Sequence, residues 1–363
     1  ADLLVIDFTI VMSGPMCTRM MADAGADVVK IEPPEGDVVR QRPPMRGGIS
    51  SYYASMNCGK RSVVLDLSTI EGKRLARELA LKADVVVENY RPDVKDRLGI
   101  DYASLRAINP RIILASISGF GQDGPYANRP GFASIAEAMS GLASITGVPG
   151  GDPMLPPFAL TDEVTGLVAA FATMVALWSE QGQVVDVSLL ESLFQILGPL
   201  MTVWLTRGEL QPRMGSLLPY TVPRGVYRCS DGQFVGISTS SDSIAARVVH
   251  LLGFDGDDRF TTFAGRIANR EIIEAAMEAW FAQRTQAEAL AIFQEIEAAA
   301  GPILSMEDIE KDPHYIAREA VITVEGTPMQ GLIARLSATP GAVKWRGRGQ
   351  DADGDAIRRD GWN

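Results

Sequence analysis

The sequence is poor in the residues on which several chemistries depend. Its 363 positions hold three cysteines, Cys17, Cys58 and Cys229, and two histidines, His250 and His314. An odd cysteine count without metal-ligand spacing points to reduced, mostly structural thiols. With no HExxH and no paired cysteine, zinc chemistry has nothing to stand on. No G-x-S-x-G occurs and neither histidine lies in a nucleophile-elbow context, so a Ser-His-Asp triad is unsupported. The surroundings of His250 and His314 give neither a role. No apolar run reaches the ~18–20 residues that a membrane span needs. No basic stretch followed by an apolar one opens the chain, and the protein is expected to be cytoplasmic. Positive charge is scarce too: 34 Lys and Arg stand against 45 Asp and Glu, a net charge of −11. That balance disfavours nucleic-acid binding, which rests on phosphate neutralisation. An anionic ligand must therefore be met by locally placed Arg or Lys.

What is present is the length and patterning of a two-domain globular chain, 46% hydrophobic and 22% charged. Strand-like runs at 3–8, 27–31, 62–67, 84–88 and 111–116 alternate with helix-like stretches, among them 15–24 and 71–82. VVLDL, DVVVEN and RIILASIS lack polar alternation, as strands buried on both faces do. Repeated β-α-β order gives an α/β domain around a mainly parallel sheet. From about 131 to 200 the pattern turns helical, with Leu167, Phe171, Met174, Val175 and Trp178 on one helical face. VVDVSLL at 184–190 reads as one more strand passing into a helix. We expect a large domain over 1–207, a Pro- and Gly-rich linker over 208–225, and a smaller α+β domain over 226–312. That small domain opens with a hairpin turning at Asp231-Gly232. Residues 313–363 then return to the large domain, with short strands near 320–338 and an extended tail after Arg346.

Three features carry candidate chemistry. Gly119-Phe120-Gly121-Gln122-Asp123-Gly124 fits the G-x-G-x-x-G dinucleotide fingerprint. It follows roughly the fifth strand, however, and Pro125 stands where the helix should open, so a loop shaped for close approach, or a plain turn, fits better. Asp162, in LTDEVTGLVAAF, stands at the start of the amphipathic helix. It reads either as an N-cap or as a carboxylate held where helix N–H groups stabilise charge developing beside it. The small residues Thr165, Gly166, Ala169 and Ala170 would let a ligand or a second backbone come close. Arg40, Lys60, Arg61, Arg91 and Arg97 recur near strand ends, where open α/β sheets bind ligands. An arginine there can grip a phosphate, and solvated surface charge is the plainer alternative for each.

Several segments together resemble the class III CoA-transferase family, which includes formyl-CoA transferase, carnitine CoA-transferases and α-methylacyl-CoA racemase. They are DFTIVMSGPMCTRMMADAGADVVKIEPPEGD, NCGKRSVVLDL, ADVVVENYRPDVKDRLGI, NPRIILASISGFGQDGP, AMSGLASITG, TDEVTGL and GQVVDVSLLES, with a weaker echo in MEDIEKDPHYIARE. The resemblance implies a doubly wound large domain, a smaller domain, and a homodimer of chains interlocked as rings. It implies that Asp162, within Asp162-Glu163-Val164-Thr165-Gly166, attacks an acyl-CoA thioester, with a carboxylic acid as acceptor and no cofactor or metal beyond coenzyme A as substrate. By position it places CoA contacts at Met12, Ser13, Leu65, Asp66, Leu67, Ser68, Asn89, Tyr90, Arg91, Arg97, Arg129, Pro130, Gly131 and Phe132, with Arg40 a candidate for a CoA phosphate. Backbone N–H groups near Gly131 and at the start of the 162–166 segment are expected to stabilise the oxyanion.

The chain departs from the family's pattern at three positions. Phe132 stands where racemases of the family carry a histidine, and Ala133 where an acidic residue is frequent. Met12 replaces a glutamine of formyl-CoA transferases, and with Phe132 it suggests a more apolar acyl pocket. WSEQGQVVDV is shorter than in relatives. An acyl-CoA racemase or isomerase on the same fold, and a non-catalytic CoA-binding protein, are the alternatives.

Overall fold

Six strands form one parallel sheet in the computed structural model, which describes residues 3–362. In chain order they are β1 (Leu4–Asp7), β2 (Asp27–Glu32), β3 (Arg61–Val64), β4 (Val85–Glu88), β5 (Ile113–Ser118) and β6 (Val184–Ser188). Their spatial order is β3-β2-β1-β4-β5-β6, every neighbouring pair parallel. This is the doubly wound order, and its direction of growth reverses between β1 and β4. The apolar runs become strands because both faces are covered: Val5, Ile6, Val28, Val29, Val85, Val86 and Val87 are fully buried. Register holds Ile6 opposite Val29 on one side and Val86 on the other.

Helix α1 (Ser13–Asp23) follows β1, and α2 (Ile70–Ala80) follows β3, capped by the Thr69 side chain accepting from the Gly72 N–H. Between β5 and β6 lie α3 (Ala133–Met139) and α4 (Leu160–Trp178), and α5 (Leu189–Gln195) leaves β6 directly. Helix α4 packs against α1 through small residues: Thr161, Thr165, Gly166, Ala169, Thr173 and Ala176 are its buried side. The expected apolar face lies opposite. Phe171 is 72% and Trp178 90% exposed, and Leu167, Met174 and Val175 are exposed as well. A close helix crossing selects small side chains, so the inward face was not the bulky one. A Cβ at Gly166 would stand 2.7 Å from the Met16 Cβ and 2.8 Å from the Ser13 carbonyl oxygen. At 19 residues, α4 is also long and apolar enough to span a membrane by length and composition alone, contrary to the sequence reading. Two acidic residues in its first turn disguised the run.

The chain divides into two compact units. The first runs to Ala143, resumes over Leu155–Pro199 and takes up the chain again from Pro313. The second comprises Ser144–Met154 and Leu200–Asp312. Residues 144–154 and 200–207, assigned from sequence to the large domain, therefore belong to the second unit. So do 208–225, expected as a linker. There the Arg213 guanidinium donates to the carbonyl oxygens of Gly151 (2.8 Å) and Ser144 (3.0 Å) and ties the segment down. The second unit is α+β. Antiparallel β7 (Arg224–Arg228), β8 (Phe234–Ser238) and β9 (Ala300–Pro302) stand in the order β9-β8-β7, with the hairpin turning at Asp231-Gly232. Tyr227, Val235, Ile273, Met277, Phe281 and Phe293 form its core with the helices at 242–295.

The tail after Arg346 is more structured than expected. The Asp351 and Asp353 carboxylates accept from the backbone N–H groups of Val64 (2.8 Å) and Ser62 (2.9 Å), which covers the outer edge of β3, and a helix follows at Gly354–Asp360.

Candidate active site

The site is built on the turn between β1 and α1. Asp7 ends β1 fully buried and accepts from the Thr9 N–H (2.8 Å), the Thr18 hydroxyl (2.7 Å) and the Lys60 ammonium (2.9 Å). Lys60 also donates to the Pro15 carbonyl, and Lys30 to the Thr9 carbonyl. Burial alone would raise the Asp7 carboxyl, but the two ammonium groups outweigh it and hold it below the usual range. Across the reversal point, Asn89 after β4 accepts from the Ile10 N–H (2.9 Å) and donates to the Ile10 carbonyl (2.8 Å). These bonds hold Val11 at φ +68°, a strained conformation for a β-branched residue. Gly14 is required beside it, since a Cβ there would lie 2.3 Å from the Thr9 Cβ. Met12 and Ser13 are thereby fixed at the start of α1, both largely buried.

Asp162 faces this turn. It is not the N-cap of α4: the helix begins at Leu160 and Ala159 holds the cap position without a side-chain bond. The Asp162 carboxyl is half-buried in the first turn and lies near Ser13. Burial first, then the Glu163 charge, push its pKa up to about 6, with Glu137 acting in the same sense. The Ser13 hydroxyl and the Arg42 charge pull the other way. A carboxyl so placed is ionised at neutral pH yet only partly solvated, a state chemically able to act as a nucleophile or as a base.

The other expected contacts fall into groups. Leu65, Asp66, Leu67 and Ser68 follow β3, where the Ser68 N–H and hydroxyl both bond the Asp66 carboxylate (2.9 and 2.6 Å). Asn89, Tyr90 and Arg91 follow β4, and Arg91 is exposed. Arg129, Pro130, Gly131 and Phe132 lead from β5 into α3, with the Arg129 guanidinium 4.0 Å from the Tyr126 ring centre. All three groups therefore lie beyond the carboxyl ends of strands, where doubly wound sheets bind their ligands. Arg97 lines a cavity of about 220 Å³ with Phe8, Lys73 and Arg77. Neither Lys73 nor Arg77 stood out in sequence; both lie on α2, where the Lys73 ammonium donates to the Arg97 carbonyl at 3.0 Å.

Arg40 is spent elsewhere. It meets Glu32 through two bonds (2.7 and 2.6 Å) and donates to the Arg348 carbonyl (3.0 Å), which argues against a phosphate role. Lys60 is consumed by Asp7, and Arg61 by Asp27 at 2.5 Å. The fingerprint glycines have a packing reason: a Cβ on Gly119 would stand 2.9 Å from the Gly131 Cα. Gly121 and Gly124 adopt φ +92° and +82°. Phe132 holds the N-cap position of α3, 67% exposed.

Two charged neighbours of Asp162 were not legible in sequence. Arg42 follows the turn at Val38–Gln41 and is exposed, its backbone carbonyl accepting from the Ser50 hydroxyl at 2.6 Å. Glu137 is buried on α3 and accepts from the Thr161 hydroxyl at 3.2 Å. Burial also raises the Cys17 and Cys58 thiols, to about 12 and about 11, and all three cysteines are buried and free. That fits their reading as structural thiols.

The parallel sheet with its strand order reversing between β1 and β4, and a half-buried carboxyl facing the turn after β1, define a doubly wound α/β protein. The chain belongs to CoA-transferase family III, whose profile matches residues 1–351. It is 34% identical over 360 residues to succinyl-CoA–D-citramalate CoA-transferase of Chloroflexus aurantiacus, covering 95% of this chain and 90% of the relative. It is 34% identical over 373 residues to acetyl-CoA:oxalate CoA-transferase of Acetobacter aceti, covering 99% and 94%. The crystal structure of a CAIB/BAIF family protein from Brucella suis superposes with a TM-score of 0.87 at 34% identity, over 99% of this chain and 98% of that one.

Proposed function

We propose that the protein transfers coenzyme A from an acyl-CoA thioester to a carboxylic acid with Asp162 as nucleophile. The observation that carries this reading is the half-buried Asp162 carboxyl, set near Ser13 at the β1–α1 turn. A carboxylate oxygen attacks the thioester carbonyl carbon, the C–S bond breaks, and CoA leaves as thiolate while a mixed anhydride forms on Asp162. The thiolate attacks the aspartyl carbonyl, releasing the donor acid and leaving an aspartyl-CoA thioester. The acceptor carboxylate displaces the thiolate to form a second anhydride, and thiolate attack on its acyl carbon gives the new acyl-CoA and free Asp162. The positive end of the α4 dipole favours the oxyanions formed along this route. In the cavity that Arg97 lines, Lys73, Arg77 and Arg97 outnumber Asp96 and offer positive charge for the nucleotide phosphates of CoA.

The acceptor is a dicarboxylic acid. Arg42 is exposed, makes no ion pair among the described residues, and feels the Asp162 charge, so it can take the carboxylate that is not reacting. D-Citramalate and oxalate, named in the two relatives, are dicarboxylic acids. Arg42→Leu is expected to raise KM for a dicarboxylic acceptor about 10-fold or more with little effect on a monocarboxylic one; equal effects on both would remove Arg42 from this role. The exposed bulky face of α4 is proposed to be covered by a second copy of the chain. Racemisation lacks the proton-transferring histidine, since Phe132 stands in its place.

The deciding experiment is intact-protein mass after incubation with a panel of acyl-CoAs and hydroxylamine trapping, for wild type and Asp162→Ala. A mass change that requires Asp162 supports the proposal. Tight CoA binding with no adduct from any donor would turn the reading toward a binding protein or an isomerase.

A further inference from the structure

We propose that Glu137 is the second carboxylate of the active site, a positioning residue that holds the first turn of α4 and biases Asp162 toward its acylated state. The inference rests on the nucleophile reading of Asp162. Glu137 lies on α3, one turn past Ala133, the first residue of that helix. Its side chain is 3% exposed and Thr161, which bonds it at 3.2 Å, is fully buried and adjoins Asp162 in the chain. A buried glutamate is a costly choice where glutamine could accept the same hydroxyl bond, so the charge itself calls for a purpose.

That purpose follows from the charge changes of the reaction. Asp162 is anionic before attack and neutral once it is an anhydride or a thioester. A fixed negative charge nearby raises the free energy of the carboxylate and leaves the acylated forms nearly untouched. It therefore makes Asp162 the stronger nucleophile and favours the intermediates. The groups that face Asp162 are Glu163 on its own helix, Glu137 from α3, Ser13 from α1 and Arg42 from the segment after Val38–Gln41. The Arg19 charge counters Glu163, and Glu137 forms no ion pair among the described residues.

The test uses Glu137→Gln, which keeps the acceptor for Thr161 and removes only the charge, with Thr161→Val as the variant that breaks the bond and keeps the charge. Two readouts are needed: the carboxyl titration of Asp162 followed by NMR in the free protein, and the pH dependence of adduct formation with a reactive acyl-CoA. Glu137→Gln is expected to move the Asp162 titration and the acid limb of the profile to lower pH while the plateau rate falls roughly 10-fold. Thr161→Val should leave the limb in place. An Asp162 titration identical in wild type and Glu137→Gln overturns the proposal, even if activity falls. A wild type that titrates as expected but never forms an adduct overturns the nucleophile reading instead, and the catalytic purpose assigned to Glu137 with it.

Discussion

At the scale of single residues, Asp162 was visible in sequence as a motif, but its chemistry was not. The pattern D-x-x-T-G marked the position, whereas the pKa of about 6 depends on what burial and three distant segments do to it. Folding lifts this group above its ordinary 3.8, so its ionisation costs stability. The cost is absent below about pH 4, grows as pH rises to about 6, and is complete above that. Asp162→Asn should therefore raise stability by about 1–2 kcal/mol at pH 8 and leave it unchanged near pH 4, as thermal melts at the two pH values will show. The same substitution should lower turnover by at least about 10³-fold. In wild type the rate of acyl transfer should fall as pH drops through about 6, because the protonated acid cannot attack. Arg40 shows the reverse case. It looked free in sequence because Glu32 is eight residues away, and only the turn at Val38–Gln41 brings the two together.

Among the elements, the sheet was the most legible part. Its strands are buried on both faces, and such strands announce themselves as unbroken β-branched runs. The α4 helix was legible as a helix, with its bulky face and its small residues both visible, but not which of the two turns inward. Hydrophobic periodicity finds a face but cannot tell the protein's own core from a surface that awaits a partner. The small-residue stripe was the better guide to the interior, since Gly166 lets α1 approach α4 and seats Ser13 beside Asp162. Gly166→Ala should lower stability by about 1–3 kcal/mol in chemical denaturation and should also reduce adduct formation, because the same contact carries Ser13.

For the whole molecule, the unit boundaries were the least legible. Nothing in residues 144–154 marks them as part of the second unit, because their partners, such as Arg213, lie some sixty residues on. Sequence pattern reads neighbours along the chain, and a discontinuous unit is defined by contacts across it. If a second copy covers the bulky face of α4, Phe171→Glu with Trp178→Glu should shift the species seen by analytical ultracentrifugation from dimer to monomer. An unchanged sedimentation coefficient would leave that face to some other occupant.

The covered edge of β3 sets an order on biosynthesis. The carboxylates that close this strand come from Asp351 and Asp353, 287 and 291 positions after the N–H groups they bind, so they leave the ribosome long after β3 does. Until then the sheet carries a bare flank able to pair with another nascent chain. A stop codon a few positions before Asp351 would spare every residue assigned to chemistry, yet it should send most of the product into inclusion bodies.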